Sequence, residues 1–127
     1  NPYDAEDNIR WTIKFTKQNA EYLKDNGYPV TPINLYILHQ QGPQGGLEIL
    51  KGVDKGLSID DLSSTVKSNI GAQFNFRTRE IPSYLNTCED FVNFFDKKLN
   101  KQKTDQIAKN DWTKSKNLIT SIKPNSI

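Results

Sequence analysis

The segment His39-Gln40-Gln41-Gly42-Pro43-Gln44-Gly45-Gly46 gathers the chain's one histidine, three glutamines and three glycines into eight positions. An imidazole and neighbouring primary amides are hydrogen-bonding groups, able to donate to and accept from hydroxyls and acetamides. Glycines beside them let a second molecule come close to the backbone. A plainer reading of the same residues has Gln40 and Gln41 in solvent, His39 half-buried as a packing residue, and the glycines joining two helices. Other chemistries find less support. Cys88 is the one cysteine and has no visible link to His39, so a nucleophile and base pair is not indicated. Neither H-E-x-x-H nor C-x-x-C spacing occurs, so no metal site is expected. GPQGG lacks the lysine of a phosphate-binding loop. No cofactor is implied.

The composition sets the frame for that segment. A chain of 127 residues suits one domain with one core. Hydrophobic residues at 35% and charged residues at 25%, with two Trp, five Tyr and six Phe, place it among globular chains. A formal charge of +2 gives no basic footprint for nucleic acid. No run approaches the roughly 20 apolar residues of a membrane span, and no signal-peptide core follows Asn1. The chain contains no methionine, from which we expect a processed or excised piece of a longer product.

The elements that must position His39 and the glutamines read as helices. In the stretch from Asp4 to Gly27, Ile9, Ile13, Thr16, Ala20 and Leu23 recur at helical spacing, with Trp11, Phe15 and Tyr22 beside the stripe. Asp4 suits the N-cap, and Asn26-Gly27 supplies the stop. Thr31-Pro32 opens a second helix. Its residues Ile33, Leu35, Tyr36, Ile37 and Leu38 are apolar on nearly every side, which predicts the central buried helix, ended by Gly42-Pro43.

LEILKG then makes a short helix. Ser58 and Asp61 form a capping box for a further helix to about Ser68. Residues 69–86 read as an ordered loop pinned by Phe74 and Phe76. Thr87 caps a last helix with Phe91, Val92, Phe95 and Leu99 on one face. From Lys101 the pattern loosens, with Ile107, Trp112, Leu118 and Ile122 as scattered anchors, so 101–127 reads as a lysine-rich tail or linker. The fold class is all-α, about five helices around one buried central helix.

With its flanks, TPINLYILHQQGPQGGLEIL resembles the later half of the lytic transglycosylase and goose-type lysozyme superfamily, especially its phage virion-associated members. Laid on the Ala-Tyr-Asn-Ala-Gly-Pro-Gly stretch of soluble lytic transglycosylases, His39 takes the Tyr position, Gln40 the Asn, Gln41 the Ala, and Gly42-Pro43 the Gly-Pro. Upstream, NPYDAEDNI is similar to the Asn/Asp-Pro-x-Asp-Pro-x-x-Asn-Ile start of the preceding family helix. Downstream, SNIGAQFNF through CEDFVNFF is similar to the end of the domain in the phage group. The resemblance covers roughly residues 1–100.

It implies the C-terminal part of a lysozyme-like helical domain that cleaves the β-1,4 bond between N-acetylmuramic acid and N-acetylglucosamine during phage entry. The implied partner is the peptidoglycan glycan strand, with other segments or chains of the phage particle as further partners. The implied location is the virion, acting at the bacterial cell wall. His39 would orient a glutamate or a sugar hydroxyl, while Gln40 and Gln41, with the Gly42 backbone, would bind the sugar or its acetamide.

The departure from the family concerns the acid. Protonating the leaving glycosidic oxygen takes a carboxylic acid with a raised pKa. In the family that glutamate precedes the part matched here, so it is expected upstream of Asn1. Glu6, Glu21 and Glu48 stand outside the matching context and read as solvated helix carboxylates or partners of nearby lysines. The alternative is a catalytically inactive copy of the domain, used for glycan docking or particle assembly; an unrelated helical adaptor is the third reading.

Overall fold

The computed structural model describes the backbone of residues 16–122 and the side-chain surroundings of 17–105 and 107. The expected start of the first helix at Asp4, with Ile9, Trp11, Ile13 and Phe15, lies outside these residues, as do the side chains of Trp112, Leu118 and Ile122. The described residues form four α-helices and no strand: α1 (Thr16–Asp25), α2 (Pro32–Asp54), α3 (Ser64–Ala72) and α4 (Cys88–Ile122). The chain divides into two compact units, Asn1–Asp96 and Lys97–Ile127.

Local chemistry accounts for most of the boundaries in the first unit. α1 ends with Gly27 N–H donating to Lys24 O (3.1 Å) and Tyr28 N–H to Leu23 O (2.9 Å), the paired bonds of a Schellman stop. Thr31 caps α2, its hydroxyl accepting from Asn34 N–H at 3.2 Å, and Pro32 follows in the first turn. The Ser58–Asp61 capping box forms, but it caps only a 3-10 turn, Ile59–Asp61. Extended backbone at Leu62 and Ser63 follows, and the Ser63 side chain starts α3 afresh. The expected single helix from 58 to 68 is therefore two elements.

α2 spans both the expected central helix and the expected short helix LEILKG. The two are joined across a break at Gly42, whose φ of 79° and ψ of 160° are open to glycine and costly for other residues. The halves fold sharply back on one another: a Cβ on Gly46 would stand 2.9 Å from Leu38 Cα, eight residues earlier. In an unbroken helix those positions would be about 12 Å apart.

The two halves feed two apolar clusters. Ile37 and Ile49 enter the larger, with Ile59, Leu62, Val66, Ile70, Leu85, Cys88, Phe91 and Phe95. Leu38 and Leu50 join Leu23 of α1 in the smaller. Consecutive residues diverge by about 100° around a helix, so each adjacent pair serves both clusters. Full burial of a residue such as Phe91 or Ile37 contributes about 1.5–3 kcal/mol.

The segment between α3 and α4 is ordered as expected, with one correction. Phe74 pins it, packing edge-on against Phe94 with ring centroids 5.2 Å apart. Phe76 does not; it is 71% exposed, with the Arg79 guanidinium 5.9 Å from its ring centre. Leu85 takes the buried place instead, with Ile81 half-buried against the same cluster. Asn75 holds the turn, its side-chain oxygen accepting from the Arg77 and Thr78 amides, and Arg79 reaches back to Ser68 Oγ at 2.7 Å.

α4 starts on a reciprocal cap. Thr87 Oγ1 accepts from Asp90 N–H, and the Asp90 carboxylate accepts from Thr87 and Asn86 N–H, each at 3.0 Å. Those backbone bonds, Thr87 first, hold the Asp90 carboxyl below its ordinary pKa.

In the second unit α4 continues to Ile122, so the lysine-rich residues from Lys101 to that point are helical. Residues 88–122 contain no glycine or proline to stop a helix. Ile107, expected as an anchor, is 51% exposed. Among the described residues no helix is long and apolar enough to cross a membrane.

Candidate functional site

The break at Gly42 and the start of α3 frame an open cleft of about 580 Å3. One wall comes from the break and the second half of α2: Gln41, Gly42, Pro43, Gln44, Gly45 and Glu48. The other comes from α3 and its cap: Ser63, Thr65, Val66 and Asn69. Helical spacing selects these side chains. Gly45 and Glu48 are three apart, and Thr65 and Asn69 four apart, so each pair shares a face.

Gln41 is 8% exposed, a low value for a polar side chain. Its Nε2 donates to Gln40 Oε1 at 2.9 Å, and Gln41 Oε1 is buried with no hydrogen-bond partner among the described residues. Exchanging the ends of both amides reverses the roles and leaves Gln41 Nε2 unsatisfied in place of its oxygen. An unsatisfied buried polar group costs about 1–3 kcal/mol, so such atoms usually answer to a partner.

Of the residues expected to form a site, the structure brings Gln41 and Gly42 to this cleft. His39 and Gln40 do not line it. Gln40 stands by the Tyr36 hydroxyl one turn back, which burial pushes above its ordinary pKa while the Gln40 amide opposes the shift. His39 is half-buried, and that burial lowers its pKa and favours the neutral imidazole at pH 7.

The glycines divide their work differently from the expectation. A Cβ on Gly42 would meet nothing within 4 Å, whereas Gly46 is spent on packing against Leu38 rather than on approach by a second molecule. Cys88 is fully buried beside Gly52, and its burial raises the thiol pKa, which keeps it protonated and unreactive.

Sequence reasoning set Glu48 aside as a solvated carboxylate, but it lines the cleft, and its Oε2 accepts from Ser63 N–H at 2.7 Å. That bond ties α2 to the start of α3, whose positive end favours a carboxylate. Ser63, Thr65 and Asn69 were also missed. The i, i+4 spacing of Thr65 and Asn69 was visible, but only the fold sets α3 opposite Glu48. Glu21 is exposed on α1. Among the described residues no group of three or more His, Cys, Asp or Glu side chains is placed to hold a metal ion.

Fold and cleft together define an all-α protein with an open cleft at a helix break. No protein-family model, curated protein or solved structure matches the chain.

Proposed function

We propose that this chain supplies the glycan-binding floor of a lysozyme-like, peptidoglycan-cleaving domain of the lytic transglycosylase and muramidase type, belonging to a phage particle. The observation that carries the reading is Gln41: it lies at the cleft, is almost fully buried, and retains an amide atom with no partner. A ligand bearing hydroxyls and acetamides supplies what that atom lacks once the Gln41 side chain turns toward the cleft. The volume, about 580 Å3, falls in the range of small-ligand clefts.

The lining supports binding more than bond cleavage. Among the described residues Glu48 is the single carboxylate on the cleft wall, and it already accepts from the Ser63 amide. In this reading the acid that protonates the leaving oxygen belongs to a part of the domain upstream of Asn1. His39 lies three residues before the break, where it orients that acid or a sugar hydroxyl. A catalytically inactive copy used for glycan docking shares the same floor, and the uncommitted amide atom of Gln41 serves it equally.

The test is calorimetric titration with the N-acetylglucosamine tetramer. Saturable binding is expected, weakened at least ~5-fold by Gln41→Ala, the loss of about one hydrogen bond. Binding by the unchanged chain that is indifferent to this substitution would refute the assignment of the cleft. Rapid clearing of a peptidoglycan suspension by the chain alone would overturn the placement of the acid.

A further inference from the structure

Resting on the glycan reading, we infer that the cleft prefers an amino sugar whose nitrogen is a free ammonium over its N-acetylated counterpart, and that Glu48 makes the distinction. Nine of the ten lining residues are uncharged, namely Gln41, Gly42, Pro43, Gln44, Gly45, Ser63, Thr65, Val66 and Asn69; Glu48 carries the one formal charge, and it is negative. Among the described residues no lysine or arginine lines the cleft to neutralise it.

Glu48 is held in place. Its Oε2 accepts from Ser63 N–H at 2.7 Å, which fixes the side chain across the cleft between α2 and α3. A carboxylate has about four acceptor positions on two oxygens, so this bond leaves acceptor capacity for a ligand. An ammonium donates three N–H bonds and carries the opposite charge, whereas an acetamide offers one N–H and no charge. A charge-assisted bond is roughly twice as strong as a neutral one.

The chain as a whole opposes any general attraction of cations, its formal charge being +2. A preference for the ammonium form is therefore local to the cleft. The neighbouring Gln41 amide and the Thr65 and Asn69 side chains remain for the sugar hydroxyls, so the ligand is an aminohexose rather than a simple amine.

The experiment compares calorimetric titrations of the intact chain with three probes: the glucosamine tetramer, the N-acetylglucosamine tetramer and tetralysine. The expected result is binding of the glucosamine tetramer at least ~5-fold tighter than its acetylated form, the lower range for a charge-assisted hydrogen bond. Tetralysine is expected to show no saturable binding. Glu48→Gln keeps an oxygen for the Ser63 amide, and unchanged helical circular dichroism confirms its fold. It should bring the two sugar tetramers within ~2-fold of each other.

Equal affinity for the two tetramers, tighter binding of the acetylated one, or a preference that survives in Glu48→Gln overturns the inference while the glycan reading stands. Tetralysine binding as tightly as the glucosamine tetramer also overturns it, because charge alone would then be read. Failure of both sugars to bind refutes the glycan reading itself, and the inference with it.

Discussion

Gly45 and Gly46 are adjacent in sequence and in the same helix, yet alanine is expected to act with opposite sign at the two positions. At Gly45 the new Cβ would sit 3.6 Å from Gln41 Cβ and 3.6 Å from Val66 Cγ2, which is ordinary contact. The substitution then gains helix propensity, about 0.5–1 kcal/mol. At Gly46 the Cβ would sit 2.9 Å from both Leu38 Cα and Leu38 Cδ1 and 3.1 Å from Leu38 N. Two of these three atoms are backbone and cannot rotate away.

Overpacking of this kind costs about 1–3 kcal/mol, and backbone contact puts it near the upper end. Subtracting the propensity gain leaves Gly46→Ala about 2 kcal/mol less stable than the parent. At about 4 °C per kcal/mol for a domain of this size, its melting temperature should fall by about 8 °C, while Gly45→Ala should rise by ~2–4 °C. Thermal unfolding followed by circular dichroism at 222 nm measures both. If Gly46→Ala melts with or above the parent, the two halves of α2 do not meet at Leu38, and the cleft derived from that fold-back loses its basis.

Three further outcomes are expected. Gln41→Met removes a buried amide atom without a partner but also the donor to Gln40 Oε1, so the two effects offset and stability in urea unfolding should change by less than ~1 kcal/mol; a loss above about 2 kcal/mol would show that the Gln41 oxygen is satisfied within the protein. Asp90 has a folded pKa below its ordinary value, so its contribution is present above about pH 4 and is lost as pH falls through the folded pKa. The gap in urea midpoint between the parent and Asp90→Asn should therefore close on going from pH 6 to pH 3, and a constant gap would contradict the cap. Tyr28, which donates to Asp54 at 2.7 Å, has its pKa raised to about 12 by burial first and Asp54 second. The stability it contributes is complete below about pH 10 and lost as pH rises toward 12, so the absorbance step at 295 nm near pH 12 should lose one tyrosine's share in Tyr28→Phe.

How far the sequence carried the fold differs element by element. Thr31-Pro32, Asn26-Gly27 and Thr87 mark helix ends because a cap acts on amides and carbonyls within about four residues, a distance that sequence order contains. The Ser58–Asp61 box was legible too, but the length of what it caps was not. Leu62 enters the core in extended backbone, and that tertiary demand breaks the helix before Ser64. Phe74 and Phe76 are the same residue type two positions apart, and only packing against Phe94 and Phe95 decides which is buried.

The all-α class, the helix caps and the polarity of His39-Gln40-Gln41 followed from the sequence by itself, since each rests on residue type and short-range spacing. The direction taken by the chain at Gly42 did not, because glycine admits many combinations of φ and ψ and packing selects one of them. That choice sets Gly46 on Leu38, brings Gln41 to a cleft and leaves His39 outside its lining. It also brings Glu48 to Ser63, fifteen residues on, a meeting of two helices that no local spacing could specify.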